Sequence, residues 1–221
     1  MAGVPRPRVH DLDAVMDAAE LLAIKSGPNA VTIRAISATT GMSNGAIYHG
    51  FGSRAGLLGR VWLRAAERFL LLQREAVERA LAGSPSREAA AEAVVAAADA
   101  PAIFLEQYPT CGRFLLTVRR DELIGSSEIP PDVATQLRKL DNLLGDLFAQ
   151  LARRLWDRDD RDAIGIMRDC IVELPSALLL RGHRTTDHLA RQRLSAAVRA
   201  VLQVGPPSAQ QQPIQKRRSS S

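Results

Sequence analysis

Residues 32–54 read TIRAISATTGMSNGAIYHGFGSR. Thr32 is a good helix N-cap, and Val31 and Ile36 occupy the two positions of a hydrophobic staple around it. The pattern predicts a short helix from Ile33 to about Thr40, stopped by Gly41. Ser43 caps a second helix, Asn44 to Gly50, with Met42 and Ile47 as its staple. Two short capped helices joined by a tight glycine turn form a helix-turn-helix.

The flanking sequence continues in the same way. Upstream, Leu12, Val15, Met16, Ala19, Leu22 and Ala23 mark one face of a helix. Asp11 can cap it, Asp13 and Asp17 suit its positive end, Lys25 suits its last turn, and Gly27-Pro28 ends it. Downstream, Ser53 caps a longer helix that runs to about Leu81. Further helices are expected over about Arg87–Ala100, with Pro101 as a kink or a start, and over about Cys111–Leu123, before a loop from Gly125 to Pro131. From Val133 the residues Val133, Leu137, Leu140, Leu144, Leu147, Leu151 and Leu155 alternate steps of four and three, as in a core helix of a bundle. Two last helices are expected over about Asp160–Leu180 and Thr186–Val204. Gly205 to Ser221 is rich in Pro, Gln and Ser and is expected to be disordered.

Composition agrees with a helical globular protein. Hydrophobic residues make up 46% of the 221 positions and aromatics only 4%, with no alternating strand pattern. No apolar run is long enough to span a bilayer, and Met1 to His10 lacks the apolar stretch of a signal peptide, so a cytoplasmic protein is expected, with no membrane partner. Cys111 and Cys170 are then expected to be free thiols packed as small hydrophobes. Charge is unevenly spread: residues 1–66 hold seven Lys/Arg and four Asp/Glu, and every one of those acids precedes Leu21. A basic segment on a near-neutral body points to a polyanion partner.

The stretch Thr32 to Arg54, within a match from about Leu12 to Val61, resembles the amino-terminal DNA-binding domain of the TetR family. The capped helix, the glycine turn, the Ser-capped helix, Tyr48, Phe51 and Ser53-Arg54 before Leu57-Leu58 carry the likeness. The resemblance implies an all-α fold. A three-helix helix-turn-helix domain at 1–66 would precede a larger helical bundle at 67–204 that binds ligand and dimerises, with a tail at 205–221. It also implies that the Asn44–Gly50 helix lies in the major groove. Arg34 and Asn44 would each reach a base edge or a phosphate, base contacts there carrying the specificity, and the small Gly45 and Ala46 would permit close approach. Tyr48 and His49 would meet phosphates, and the helix starts at Thr32 and Ser43 would face an anion. Arg54 takes the family's usual Lys place and would pair with the DNA backbone. One departure is Gly50, where the family often has His; a glycine there is expected to cap the helix and loosen its end.

The implied function is transcriptional regulation, commonly repression, of a palindromic double-stranded operator by a homodimer that a small molecule releases. The dimer stripes would be Ile164, Met167, Ile171, Leu174 and Leu178, then Leu194, Ala197, Val198, Val201 and Leu202. The effector pocket would be lined by Phe69, Phe104, Tyr108, Phe114, Phe148 and Trp156, which suits an apolar or aromatic molecule.

Other chemistries fit poorly. Gly41-Met42-Ser43-Asn44-Gly45 matches a G-x-S-x-G nucleophile elbow, with His183 and His188 downstream, but the elbow needs a strand before the Ser, and here a capped helix precedes it. There is no H-E-x-x-H and no C-x-x-C, and His10, His49, His183 and His188 lack ligand spacing. No catalytic residue, metal or cofactor is therefore expected. A helical scaffold that kept the small domain but lost DNA binding is the remaining alternative.

Overall fold

The computed structural model describes residues 12–83, 85–117 and 129–207. Among them every regular element is helical. The order is α1 (Leu12–Ser26), a 3-10 turn (Pro28–Ala30), α2 (Ile33–Thr40), α3 (Asn44–Phe51), α4 (Arg54–Leu81), α5 (Arg87–Gln107), α6 (Pro109–Thr117), α7 (Pro131–Trp156), α8 (Arg161–Arg168, continuing to residue 180) and α9 (His188–Val204). Most of the loop expected at 125–131, the end of the helix expected to Leu123, and the tail from residue 208 on lie outside the described residues. The expected domain boundary at residue 66 falls inside the unbroken α4.

The chain divides into two compact units. The first takes residues up to Ala76 with Ala100–Gly145; the second takes Val77–Asp99 with the residues from Asp146 on. In the first unit Val15 and Ala19 of α1, Ile36 of α2, Ile47 and Phe51 of α3, Leu57 and Val61 of α4, Phe104 of α5 and Phe114 of α6 share one core. A smaller cluster joins Leu63 and Ala66 of α4 to Val133, Leu137 and Leu140 of α7.

Two helices of this unit approach each other through glycines. A Cβ on Gly59 would lie 2.9 Å from Val133 Cγ1. One on Gly56 would lie 2.1 Å from the Phe51 carbonyl oxygen and 3.0 Å from Pro130 Cγ. Arg60, one turn on from Gly56, pairs with Asp132 at 2.9 Å.

The second unit has its own core. Ala90, Ala93, Val94 and Ala97 of α5 are buried, as are Leu147, Leu151 and Leu155 of α7. The expected stripe along α7 is thus an inward face, split between the cores of the two units. Asp160 and Asp187 cap α8 and α9, accepting from Ala163 and Ala190 amides. Arg191 and Arg199 of α9 each make two hydrogen bonds to a carboxylate of α5, Asp99 and Glu92. Beyond Arg168 the α8 helix widens into π-turns at Asp169–Glu173 and Ser176–Leu180. Pro175 lies between them and has no N–H to donate, while the Ser176 hydroxyl donates to the Val172 carbonyl at 2.6 Å.

Cys111 and Cys170 are free and buried, as expected. Burial, aided by Asp169, pushes the Cys170 thiol up to about 12. Its proton is therefore lost from the unfolded chain near pH ~8.5 and from the folded one only much later. Stability should fall as pH rises through this window. Chemical denaturation at intervals between about pH 8.5 and about pH 10 should show a shallower fall for Cys170→Ala than for the wild type.

Glycine packing makes a second prediction. An exposed helical Gly→Ala normally stabilises by about 0.5–1 kcal/mol, and Gly145, which has open space around it, should follow that rule. Gly56→Ala should instead destabilise by about 2 kcal/mol or more, because backbone stands in the way. Urea melts of both variants check the opposite signs.

Candidate nucleic-acid interface

The α2–α3 pair is built by its caps. The Thr32 hydroxyl accepts from the Ala35 amide at 3.1 Å and the Ser43 hydroxyl from Ala46 at 3.2 Å. Gly41 ends α2 in the left-handed region at φ 70°, and its N–H closes on the Ser37 carbonyl. Only Met42 then separates that cap from Ser43, so the turn is tight. At the far end Gly52, at φ 75°, donates to the Tyr48 carbonyl.

Burial sorts the two faces. Ile33, Ile36, Ile47 and Phe51 point into the core. Thr32, Arg34, Ser43, Asn44, Gly45 and His49 are exposed, and Ala46 is half-buried. Tyr48 is 52% exposed, so its ring is a surface group and not part of the core. Asn44, Gly45, Tyr48 and His49 fall on one stripe of α3, and open space surrounds Gly45.

The electrostatics of this face follow from where the acids go. Asp13, Asp17 and Glu20 of α1 all turn to one guanidinium, Arg64 of α4, at 3.4, 2.7 and 2.8 Å. Glu20 is 4% exposed. Burial works against the Arg64 charge, but the hydrogen bonds to Glu20 and Asp17 outweigh it and hold the group charged. Residues 21–66 contain no acid at all. The exposed side of α2 and α3 therefore presents Arg34, amide and hydroxyl donors and two helix starts, with no carboxylate from its own segment.

Several residues sit differently from expectation. Gly50 does not cap α3, a task that belongs to Gly52. A Cβ at Gly50 would lie 2.8 Å from Leu12 Cδ2, so the missing side chain lets α1 and α3 close up and does not loosen the helix. Arg54 turns inward, donating from Nε to the Val31 carbonyl at 2.5 Å and from Nη2 to the Pro28 carbonyl at 2.6 Å. No sequence pattern signals that long-range contact.

The residues of the expected dimer stripes divide by burial. Met167, Ile171, Leu194, Val198 and Leu202 are buried within the chain itself and belong to its own core. Each helix turns part of its apolar face into the chain's own core. Ile164, Leu174, Leu178, Ala197 and Val201 are only half-buried.

The six aromatics expected around one pocket are divided between the two units, with Phe148 and Trp156 in the second. Phe69 meets Phe104 edge-on at 5.5 Å, and Phe104 meets Tyr108 at 5.4 Å. Phe104 and Phe114 are core residues. The first unit carries an open groove of about 390 Å³ that shares only Tyr108 with that set; Asp17, Leu21, Arg68, Thr110 and Cys111 also line it. Among the described residues no cluster of His, Cys, Asp and Glu could hold a metal, and no helix is long and apolar enough to cross a membrane.

Comparison with known proteins bears on this interface. Residues 15–61 match the family model of the bacterial regulatory proteins of the tetR family. No curated protein sequence matches the chain. Among solved structures, the TetR family transcriptional regulator PfmR from Thermus thermophilus superposes with a TM-score of 0.60 at 19% identity, over 86% of this chain and 97% of its own. A bacterial regulatory protein in the tetR family from Rhodococcus RHA1 gives 0.61 at 18% identity, over 89% and 97%. A protein of unknown function from Rhodococcus sp. RHA1 gives 0.63 at 17% identity, over 92% and 100%. At these identities the likeness is one of fold. Residues 15–61 are thus similar to the helix-turn-helix domain of the tetR family, and most of the chain shares the fold of these solved structures.

Proposed function

We propose that this protein is a repressor that binds a palindromic operator as a homodimer and is released by a small molecule. The observation that carries the reading is the acid-free, doubly capped face of α2 and α3, with Arg34, Asn44, Tyr48 and His49 exposed on it. Arg34 and Asn44 read base edges, at about 1–3 kcal/mol for each good contact. Gly45 and Ala46 let α3 seat deeply, Tyr48 and His49 meet phosphates, and the N-terminal amides behind Thr32 and Ser43 favour an anion.

Dimerisation follows from length. The eight residues of α3 span about 12 Å. That reaches only a few base pairs, so tight specific binding needs two copies about 34–36 Å apart. Residues 1–66 act as the DNA-binding domain in this reading, and 67–204 as the dimerisation and effector domain. The half-buried Ile164, Leu174, Leu178, Ala197 and Val201 are the members of the expected stripes left to meet a partner. An apolar or aromatic effector would release DNA only by binding better to the conformation with the wrong half-site spacing. The setting is the cytoplasm.

The test is selection and sequencing of short duplexes from a random library at two salt concentrations. Enrichment of a palindrome that binds more tightly at low salt is the expected result. Failure to enrich any sequence with ligand-free protein would overturn the reading.

Gly45→Ala separates seating on DNA from folding. Open space around Gly45 means the fold should be unharmed, or slightly steadier, in a thermal melt. Affinity for the selected duplex should nevertheless drop by roughly tenfold, about 1.4 kcal/mol, as the added methyl holds α3 off the groove. Unchanged affinity would remove α3's start from the contact surface.

A further inference from the structure

We infer that Arg54 is a positioning residue that sets the DNA-reading helices and is not a phosphate ligand. It is the first residue of α4, directly after Ser53, whose hydroxyl accepts from the Gly56 amide at 2.9 Å. A cation is electrostatically misplaced at the positive end of a helix. Arg54 answers this by reaching back over twenty residues of sequence. Its Nε and Nη2 donate to the carbonyls of Val31 and Pro28.

Those two carbonyls lie in the turn that joins α1 to α2. Val31 donates in turn to the same Pro28 carbonyl at 3.2 Å and is fully buried. The next residue is Thr32, the cap of α2, and Arg34 follows two positions later. One rigid fork thus ties the start of α4 to the start of α2. The planar guanidinium donates to the two carbonyls from two nitrogens held in a fixed fork, whereas a lysine ammonium offers one compact, strongly hydrated nitrogen on a flexible stem. The arrangement explains an Arg at this place, where the family resemblance offers a Lys. The position has become a brace whose effect on DNA is exerted through α2.

The affinity arm of the test rests on the DNA-binding reading; the melting arm does not. Arg54→Lys and Arg54→Ala are compared with the wild type by thermal melting and by titration of the selected duplex over a range of salt, well below each variant's melting point. A brace predicts that both variants melt several degrees lower, and that both bind about tenfold or more weaker. It also predicts that the slope of log affinity against log salt stays within about 0.3 of the wild type, since no phosphate contact is lost. A phosphate ligand predicts the reverse: unchanged melting, near-full affinity in Arg54→Lys, and a slope smaller by about 1 in Arg54→Ala. That pattern would overturn the inference. Failure of both variants to fold would support the brace, because a side chain needed only at the DNA surface is not needed for folding. If wild-type protein binds no DNA, the functional reading falls, and the melts still decide the brace: lower melting in both variants supports it, and unchanged melting overturns it.

Discussion

The partly buried pairing of Arg64 with Glu20 is the constraint on which the amino-terminal unit turns. Their side chains are 14% and 5% exposed, so neither charge has much water to fall back on. Losing one partner of such a pair typically costs about 3–5 kcal/mol, because the other charge stays behind unpaired. With Asp13 and Asp17 added, α1 is locked in rotation and in height against α4. The core beneath, Val15 and Ala19 against Leu57 and Val61, then has a single register in which to pack.

The same pairing shapes the surface. The four acids of the first 66 residues all precede Leu21, and Arg64 gathers three of them on one face of α1. The α2–α3 face is left to cations and neutral donors. A structural device and an electrostatic one are thus made from the same side chains. The fork of Arg54 adds a second fastening at the other end of this small unit, and Gly50 and Gly56 remove the atoms that would hold its helices apart.

The legible parts of the molecule are those governed by near neighbours in the chain. Thr32, Gly41 and Ser43 act as the caps that a reading of adjacent residues expects, because a cap acts across three or four positions. The α7 stripe was visible for the same reason: its period is a property of one helix. Met167, Ile171, Leu194 and Val198 show where this stops. Periodicity reveals that a helix has an apolar face, but the same face serves equally for a subunit's own core or for a partner, and only packing distinguishes the two.

By itself the sequence determined an all-helical chain, a helix-turn-helix between Thr32 and Phe51, and an acid-free basic segment around it. Those are matters of local hydrogen bonding, helical period and composition. Tertiary structure alone decided that Arg54 faces Val31 and Pro28, that Gly50 makes room for Leu12, and that Glu20 is buried against Arg64. Each joins residues from twenty-three to forty-four positions apart. Such contacts depend on how helices pack, and no residue's own neighbours in the chain encode that.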